Sequence, residues 1–580
     1  MDAALAKGQL DRRHRSRLIP FPERRQEQRR HSQRLPVNLP ITFNFKGKYV
    51  KAICRDLGAG GARLHSNEPT AVGTQLVLQL SFSRNLCFVG FTGDVVYAVA
   101  TREPGGKRTY ELGLCFQRVG QVEEQVLQAC LVELSKGQSG TASESVSSTL
   151  FDTQVSIVVT DRALASQFIR RRVVITGMGV MSPIGIGREQ FSEGLQQGRS
   201  GVSRITRFDA SDLPSQLAAE VKDFDPAQFL SPKKIRQMDR CTQFAVAAAL
   251  QAVADAEIVL EKLDRERVGV LIGTAVGGLR WAFEQQRAQQ AGGYKTMDPY
   301  SIIATYPNAV SGQVAVELGL KGRSDTISSG CASAGTAFGI AAEMIQRGEL
   351  DLVVVGGTES PLDPTIFGAM CSAGALSTLN DEPVRTPRPF DAERDGPVLG
   401  EGAGVLIFEE LEHALQRGAF IYSEFRGWGS TSDALSLTRT DPRGHQAVRA
   451  VQIALRDAGL VPEDIDYINA YGLATPACDW AETRVIKAAF GARAAQIPVS
   501  AIQSMTGYPW AAIGAFQLIG NCLAITEGVI APTINFAVRD SNCDLDVVPN
   551  QARHGYINTA LSNVFGCGKN VVLIVQRANA

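Results

Sequence analysis

From residue 170 to the C-terminus, short apolar runs alternate with Ala-rich amphipathic segments, and this alternation constrains the fold more than any other feature. Runs of strand length occupy 173–176, 268–272, 352–355 and 405–408, and helical periodicity marks 243–256 and 336–347. Strands that alternate with helices form a sheet whose faces the helices cover. About 410 residues are enough for a large core. The pattern therefore predicts a layered α/β domain, with room for two repeated halves.

The preceding part of the chain has a different pattern. Residues 41–45, 75–82 and 87–99 alternate apolar and polar side chains as half-buried strands do, and glycines between 58 and 61 mark a tight turn. Several short strands at this spacing predict a small β-barrel. A Ser-, Gly- and Thr-rich stretch at 135–149 is typical of a flexible linker.

These patterns divide the chain into four segments. We expect a basic arm at 1–34, a barrel at 35–134, a linker at 135–169 and the α/β domain at 170–580. The arm holds ten Lys and Arg residues against four Asp and Glu residues. Such a run is either a solvated tail or one half of an anion site.

Composition excludes several classes of protein. The chain has 59 Lys and Arg, 59 Asp and Glu and 44% hydrophobic residues, so a nucleic-acid polymer is not the expected partner. It has no run of 18 apolar residues and no signal peptide, which predicts a cytoplasmic protein without a membrane span. Its 11 cysteines lack CxxC pairs and metal-ligand spacing, so we expect neither a disulfide framework nor a metal site.

The basic arm and the glycine turn carry two motifs. Arg29, Arg30 and Arg34 form an RRxxxR pattern, and Asp56, Gly58 and Gly61 follow about twenty residues later. Together they resemble the PilZ domain, which binds cyclic di-GMP through RRxxxR and [D/N]xSxxG. The resemblance implies a PilZ β-barrel in which these six residues contact the regulatory ligand cyclic di-GMP.

The residue types suit that ligand. Guanidinium groups grip phosphates bidentately, and glycines let the backbone approach a ligand closely. One position departs from the family, since Gly58 stands where the family has Ser and removes one hydroxyl from the site. A PilZ-like docking module that no longer binds nucleotide is the alternative.

The α/β domain also carries a family signature. Matching segments run in order through 174–179, 238–240, 356–359, 388–396 and 400–404, and 329–335 surrounds Cys331. They resemble the β-ketoacyl-acyl-carrier-protein synthases, most closely the II-type elongating enzymes. The resemblance implies a layered αβαβα thiolase fold and a phosphopantetheine arm delivered by acyl carrier protein, with no cofactor for the chemistry. It also implies a dimer, either of two copies or with a complete ketosynthase.

Cys331 stands where the family has its nucleophile, after a strand and at the start of a helix. The N-terminus of a helix favours the thiolate, and nearby backbone amides stabilise an acyl oxyanion. Thioester exchange at Cys331 is therefore reasonable without a further base. The alternative is a small buried cysteine that only packs.

The other catalytic positions of the family are replaced. The family's two histidines correspond to Tyr471 and Tyr508, its lysine to Gln503 and a glutamate to Gln517. All four replacements are neutral at pH 7, while the flanking turns are kept. The site has the family's shape without its charges. The C-terminal glycine-rich loop carries Cys567 in place of an aromatic gate.

Three functions remain open. We favour a cyclic-di-GMP-responsive, ketosynthase-like protein of a fatty-acid or polyketide-type pathway that accepts acyl groups or acts like a chain length factor, and condenses poorly. The alternatives are an active synthase or related acyltransferase that uses Cys331 with Tyr471 and Tyr508, and a non-catalytic dimeric signalling platform. Whether the protein is a condensing enzyme is left undecided by its sequence.

Overall fold

The computed structural model describes residues 170–566 and 568–578 in full, together with the backbone of seven strands between 34 and 157. The chain forms two compact units, Met1–Ile169 and Arg170–Ala580. The basic arm before 34, and the predicted linker at 135–169 apart from Ser156–Ile157, lie outside the described residues.

The first unit is a small barrel. Its strands are β1 Arg34–Phe45, β2 Lys48–Gly58, β3 Gly61–Ser66, β4 Gln75–Phe82, β5 Cys87–Arg102, β6 Arg108–Phe116 and β7 Ser156–Ile157. Strands β1 to β6 pair in the order β1-β2-β3-β6-β5-β4, β7 pairs with β4, and β1 also pairs with β4 through Phe43 and Leu78. This pairing closes the six strands into a ring, which removes free edges. The predicted β-barrel is confirmed.

The second unit alternates strands and helices as its sequence predicts. Its strands are β8 Val173–Ser182, β9 Gly185–Ile186, β10 Val202–Arg204, β11 Leu217–Ala219, β12 Val268–Gly273, β13 Ser324–Ile327, β14 Leu352–Glu359, β15 Gly402–Glu410, β16 Ser423–Ser432, β17 Tyr467–Asn469, β18 Val499–Ser500, β19 Val529–Ile530, β20 Arg553–His554, β21 Thr559–Gly566 and β22 Lys569–Gln576. Its helices are α1 Arg188–Gln196, α2 Pro232–Ile235, α3 Arg240–Asp255, α4 Leu279–Gly292, α5 Ser301–Thr305, α6 Ala309–Leu318, α7 Ser333–Gln346, α8 Pro364–Ser372, α9 Leu411–Gln416, α10 His445–Ala458, α11 Pro476–Phe490, α12 Gln503–Thr506 and α13 Ile513–Glu527.

The main sheet is built from two halves with the same strand order. One half runs β13-β12-β14-β15-β8 and the other runs β18-β17-β21-β22-β16, and β8 joins β16 at the centre. In each half the first three strands of this order are parallel, and the fourth strand pairs antiparallel with both the third and the fifth. The two halves of the second unit's main sheet therefore share one strand arrangement.

Helices cover both faces of each half-sheet. Helices α7 and α13 pack on each other and contact strands of both halves, and nearly all of their side chains are buried. Helix α3 packs on β8, β14 and β15, whereas α10 packs on β16 and β22. The layers follow the order αβαβα, which confirms the predicted layered fold. Among the described residues, no helix has the length and apolar character needed to cross a membrane.

Candidate functional site

The candidate site lies where several strands of the two halves end. Cys331 follows β13, Tyr471 follows β17, Tyr508 follows β18 and α12, and Gly566 ends β21. Because β17, β18 and β21 are parallel, their carboxyl ends meet at one edge of their half-sheet. Ligands of α/β folds commonly bind at this kind of edge. The topology therefore gathers residues that are far apart in the sequence.

Cys331 lies in a tight turn before α7. Gly330 has a φ of 63°, a conformation that favours glycine, and carries the chain from β13 into the turn. The hydroxyl of Ser333 accepts a 2.9 Å hydrogen bond from the N–H of Ser329 and donates to the carbonyl of Thr274 at 3.2 Å. Only 6% of Cys331 is exposed. The nucleophile position is thus a buried sulfur at the N-terminal end of a 14-residue helix.

Two phenols line the sulfur. The hydroxyl of Tyr508 is in hydrogen-bond contact with Sγ of Cys331, and the hydroxyl of Tyr471 donates to that of Tyr508 at 2.8 Å. The two rings meet edge to face with centroids 6.1 Å apart. Burial, and then the neighbouring Cys331 and Tyr508, raise the pKa of Tyr471 well above its usual value of 10.0. Tyr471 is therefore a neutral hydrogen-bond donor at physiological pH.

A buried carboxylate holds the backbone at Tyr471. Glu482 on α11 accepts 2.8 Å hydrogen bonds from the main-chain N–H groups of Tyr471 and Gly472, and Asn563 donates to it at 3.0 Å. Burial raises the pKa of Glu482, while these donors oppose the shift. Glu482 therefore fixes the position of the chain from which the phenol projects.

The two glutamines also act on the backbone around the site. Gln503 is buried and donates from its side-chain amide to the main-chain carbonyl of Tyr471. Gln517 donates to the carbonyls of Asn469, Ala470 and Asn563 at 3.2, 2.8 and 3.0 Å. Both amides therefore support the end of β17, which leads into Tyr471. The structure brings Cys331, Tyr471, Tyr508 and Gln503 together. Gln503 contacts the main chain of Tyr471.

The last wall of the site is Phe565 and Gly566. The ring of Phe565 lies 6.4 Å from that of Tyr471. A Cβ on Gly566 would lie 2.9 Å from Cβ of Cys331, 3.0 Å from the hydroxyl of Tyr471 and 3.3 Å from Sγ. Because glycine leaves this space open, Gly566 sets the clearance above the sulfur.

The loop after Gly566 is tied to a second loop. The carbonyl of Gly568 accepts a hydrogen bond from the N–H of Asp433 at 2.8 Å, and Asn570 donates to the Asp433 carboxylate at 2.7 Å. Cys567, the position of the family's aromatic gate, lies outside the described residues.

Sequence reasoning missed Glu482 and the role of Gly566. A signal for Glu482 exists, because Asp479, Glu482, Ile486 and Phe490 share the buried stripe of α11. Carboxylates on the apolar face of a helix need buried partners. Asp479 meets this need by pairing with Arg394 at 3.1 Å, and burial raises its pKa to about 7.

The second unit also carries His413, His445 and His554. His413 lies in α9 and bonds Glu409 at 2.5 Å, His445 begins α10, and His554 is exposed on β20. The side chains that line Cys331 after β17 and after α12 are the phenols of Tyr471 and Tyr508. Among the described residues, no cluster of three His, Cys, Asp or Glu side chains is arranged to hold a metal ion.

The first unit places several predicted ligand residues side by side. Arg34 on β1 is the register partner of Gly58 on β2, and Gly58 is in turn the partner of Gly61 on β3. Asp56 lies two positions before Gly58 on β2. Arg29 and Arg30 lie outside the described residues. The backbone therefore brings four of the six predicted positions to one end of three neighbouring strands.

Comparison with known proteins finds different families in the two units. Residues 170–414 match the β-ketoacyl synthase N-terminal domain, 422–537 match the β-ketoacyl synthase C-terminal domain, and 27–133 match the PilZ domain. The chain is 44% identical over 409 residues to the 3-oxoacyl-[acyl-carrier-protein] synthase 2 of Synechocystis, covering 70% of this chain and 98% of the relative. The synthase 2 of Staphylococcus aureus is 39% identical and covers 71% of this chain and 99% of its own length.

Solved structures share the fold of the second unit. The ishigamide ketosynthase/chain length factor superposes with a TM-score of 0.67 at 36% identity, covering 71% of this chain and all of its own. A type II polyketide ketosynthase, solved with its acyl-carrier protein and bound to the hexaketide, gives a TM-score of 0.66 at 34% identity and covers 71% of this chain and 100% of its own. The chain therefore belongs to the β-ketoacyl synthase family, and a PilZ domain precedes its thiolase-fold synthase unit.

Proposed function

We propose that this protein is a cyclic-di-GMP-responsive, ketosynthase-like protein that accepts acyl groups on Cys331 and is poor at decarboxylative condensation. The observation that carries the proposal is the hydrogen-bond contact of Cys331 with Tyr508, which in turn accepts from Tyr471. The sulfur retains the position of a nucleophile, and the phenols of Tyr508 and Tyr471 line it. We place the protein in the cytoplasm, beside a carrier protein of fatty-acid or polyketide-type biosynthesis.

Condensation requires more than acyl transfer. Carbon dioxide leaves a malonyl thioester only if the developing enolate is stabilised. The family resemblance implies that two histidines polarise the malonyl carbonyl and that a lysine and a glutamate organise the charge. Loss of one oxyanion donor commonly costs about 100- to 1000-fold in rate. Two phenols and the neutral Gln503, whose amide faces a main-chain carbonyl, are expected to supply much less stabilisation.

Two features support a carrier protein and a dimer as partners. A related ketosynthase was solved with its acyl-carrier protein, and another relative is a ketosynthase/chain length factor. In the described part of this chain, β13 is the last strand at one end of the main sheet. Exposed apolar side chains lie in the segments that precede β13, at Ile302, Ile303, Tyr306 and Val316. We propose that a second copy, or a complete ketosynthase, covers this end.

Acylation and carbon dioxide release test the chemistry together. The purified full chain is incubated with one carrier protein loaded with an acyl group and another loaded with a malonyl group. The variant Cys331→Ala is the control. We expect an acyl adduct on Cys331 and no carbon dioxide above the control. An active synthase that relies on phenols would instead release carbon dioxide and lose turnover in Tyr471→Phe and Tyr508→Phe.

Calorimetry with cyclic di-GMP tests the regulatory part. We expect binding to the full chain and its loss in Arg29→Ala/Arg30→Ala. The double variant Lys7→Ala/Arg15→Ala removes the same charge from the same arm without touching an Arg of an RRxxxR pattern, and it is the matched control. A signalling platform without catalysis would show a phenotype for Arg30→Ala and none for Cys331→Ala.

A further inference from the structure

The hydrogen bond between the two phenols has a direction. Each phenol carries one O–H proton, and Tyr471 uses its proton to donate to the oxygen of Tyr508 at 2.8 Å. The proton of Tyr508 is then available to Sγ of Cys331, with which that hydroxyl is in contact. The two phenols are therefore not equivalent, because Tyr508 touches the reacting atom and Tyr471 acts through Tyr508.

The surroundings bury this arrangement and hold its backbone. Cys331, Tyr471 and Tyr508 are 6%, 3% and 7% exposed. The backbone of Tyr508 is held between Val398 and Gly400, by bonds of 2.8 and 3.0 Å. A hydroxyl fixed in this way needs little reorganisation to exchange a proton with a neighbouring sulfur.

We propose that Tyr508 shuttles a proton between two sulfurs during thioester exchange at Cys331, and that Tyr471 is a positioning residue for the Tyr508 hydroxyl. This inference rests on the proposed acyl-accepting function and names a catalytic residue for it. The substrate class is an acyl thioester of phosphopantetheine whose acyl group needs no decarboxylation.

The exchange is balanced without a cofactor. Sγ of Cys331 attacks the thioester carbon, a new S–C bond forms, and the carbonyl electron pair moves to oxygen. The thiol proton passes to the oxygen of Tyr508 while Tyr508 gives its own proton to the departing pantetheine sulfur. The C–S bond to pantetheine then breaks, leaving acyl-Cys331 and a pantetheine thiol. Both sulfurs are bonded to the same carbon in the intermediate, so one hydroxyl serves both.

One consequence is reversibility. A thioester is exchanged for a thioester, and Tyr508 ends each exchange as it began. The same path therefore returns the acyl group to a second pantetheine thiol. A site of this kind passes acyl groups between carriers, whereas condensation consumes them.

The test compares matched Tyr→Phe variants of the full chain. Octanoyl-pantetheine is the acyl donor, and acylation of Cys331 is followed by intact-protein mass spectrometry. Tyr508→Phe is expected to slow acylation by roughly 100-fold, the usual contribution of a proton-transfer group. Tyr471→Phe is expected to slow it by about fivefold, the effect of one lost neutral hydrogen bond. Tyr556→Phe changes an exposed tyrosine and is expected to react like the wild type.

Two further readouts separate catalysis from structure. The rate of Cys331 alkylation by iodoacetamide is measured against pH. We expect Tyr508→Phe to move the midpoint of this pH profile to higher pH, because the Cys331 thiolate loses a hydrogen-bond donor. Wild-type acylation is repeated in D₂O, and we expect a solvent isotope effect that Tyr508→Phe lacks.

The outcomes are distinguishable. If the wild type is acylated and Tyr508→Phe matches it, or if both site variants slow equally with unchanged pH profiles, the shuttle is overturned while the acyl-accepting function stands. If the wild type is not acylated, the proposed function fails, and the alkylation profile still decides whether Tyr508 donates to the sulfur.

Discussion

Glu482 accepts a 2.8 Å hydrogen bond from the main-chain N–H of Tyr471, so a buried carboxylate fixes the backbone from which the phenol projects. On the opposite side of the same peptide chain, Gln503 donates to the carbonyl of Tyr471. The backbone is thus held independently of the side chain at this position. A substitution of that side chain therefore changes the chemistry at the sulfur and leaves the backbone in place.

Because the backbone at Tyr471 is held independently of the side chain, we predict that condensation can be restored. In Tyr471→His/Tyr508→His/Gln503→Lys, imidazoles and a cation return to positions where the family resemblance implies them. We expect carbon dioxide release from malonyl-carrier protein to rise by about 100-fold or more over the wild type. Release is measured with labelled malonyl groups, and the same triple variant with Cys331→Ala is the control for acyl transfer. A folded triple variant no faster than the wild type would contradict the role given to the phenols.

Removal of the carboxylate is expected to destabilise the site. In Glu482→Ala, the N–H groups of Tyr471 and Gly472 lose their buried acceptor, and we expect the free energy of unfolding to fall by about 1–3 kcal/mol. Glu482→Gln keeps one acceptor oxygen and is expected to lose less. Chemical denaturation measures both variants, and a glutamine variant less stable than the alanine variant would argue against this account.

Gly566 is expected to control access to the sulfur. In Gly566→Ala, the added Cβ comes within 3.3 Å of Sγ and 3.0 Å of the Tyr471 hydroxyl. We expect acylation of Cys331 to slow by about tenfold or more, since a small misplacement at a reacting centre has a large effect on rate. Gly368→Ala on α8 is the matched control, because a Cβ there meets nothing within 4 Å. Equal acylation rates for the two variants would contradict the prediction.

The stability of the synthase unit is expected to depend on pH through Glu359. This buried carboxylate accepts hydrogen bonds from Thr274, Ala275 and Val276, and burial raises its pKa from 4.5 to about 7. The folded protein therefore keeps the proton to a higher pH than the unfolded chain does. The Glu359 contribution to stability is complete below the unfolded pKa and is lost as the pH rises through about 7.

Glu359→Gln is expected to flatten this dependence. The neutral amide does not titrate, although it faces the N–H donors less well and lowers stability at every pH. Urea unfolding at about pH 5 and about pH 8 compares the two proteins. Asp479, whose pKa is also raised to about 7, preserves part of the slope. An unchanged slope in Glu359→Gln would mean that Glu359 does not titrate in this range.

The fold was largely predictable because its signals are local. The run 268–272 falls within β12, and the periodic stretch 336–347 nearly coincides with α7. Each depends on side-chain patterns within a few residues. The repeated strand order of the two halves was only a possibility from the sequence, because pairing between β8 and β16 joins residues about 250 positions apart.

The site was predictable only where motifs carry it. Cys331, Tyr471 and Tyr508 stand in recognisable motifs, so their meeting was expected. Glu482 was missed because a single glutamate in an amphipathic helix usually faces solvent, and only the buried stripe of α11 distinguishes it. The direction of the hydrogen bond from Tyr471 to Tyr508 depends on three-dimensional geometry that no sequence pattern encodes.

Simultaneous measurement of the Cys331 adduct and of carbon dioxide tests the central claim most directly. The purified protein receives carrier protein loaded with an acyl group and then carrier protein loaded with a malonyl group. Intact-protein mass spectrometry measures the thioester on Cys331, and a labelled malonyl carboxylate measures decarboxylation. The account predicts an acyl group on Cys331 and carbon dioxide no higher than with Cys331→Ala. Rapid carbon dioxide release with loss of the adduct, by the protein alone, would contradict it.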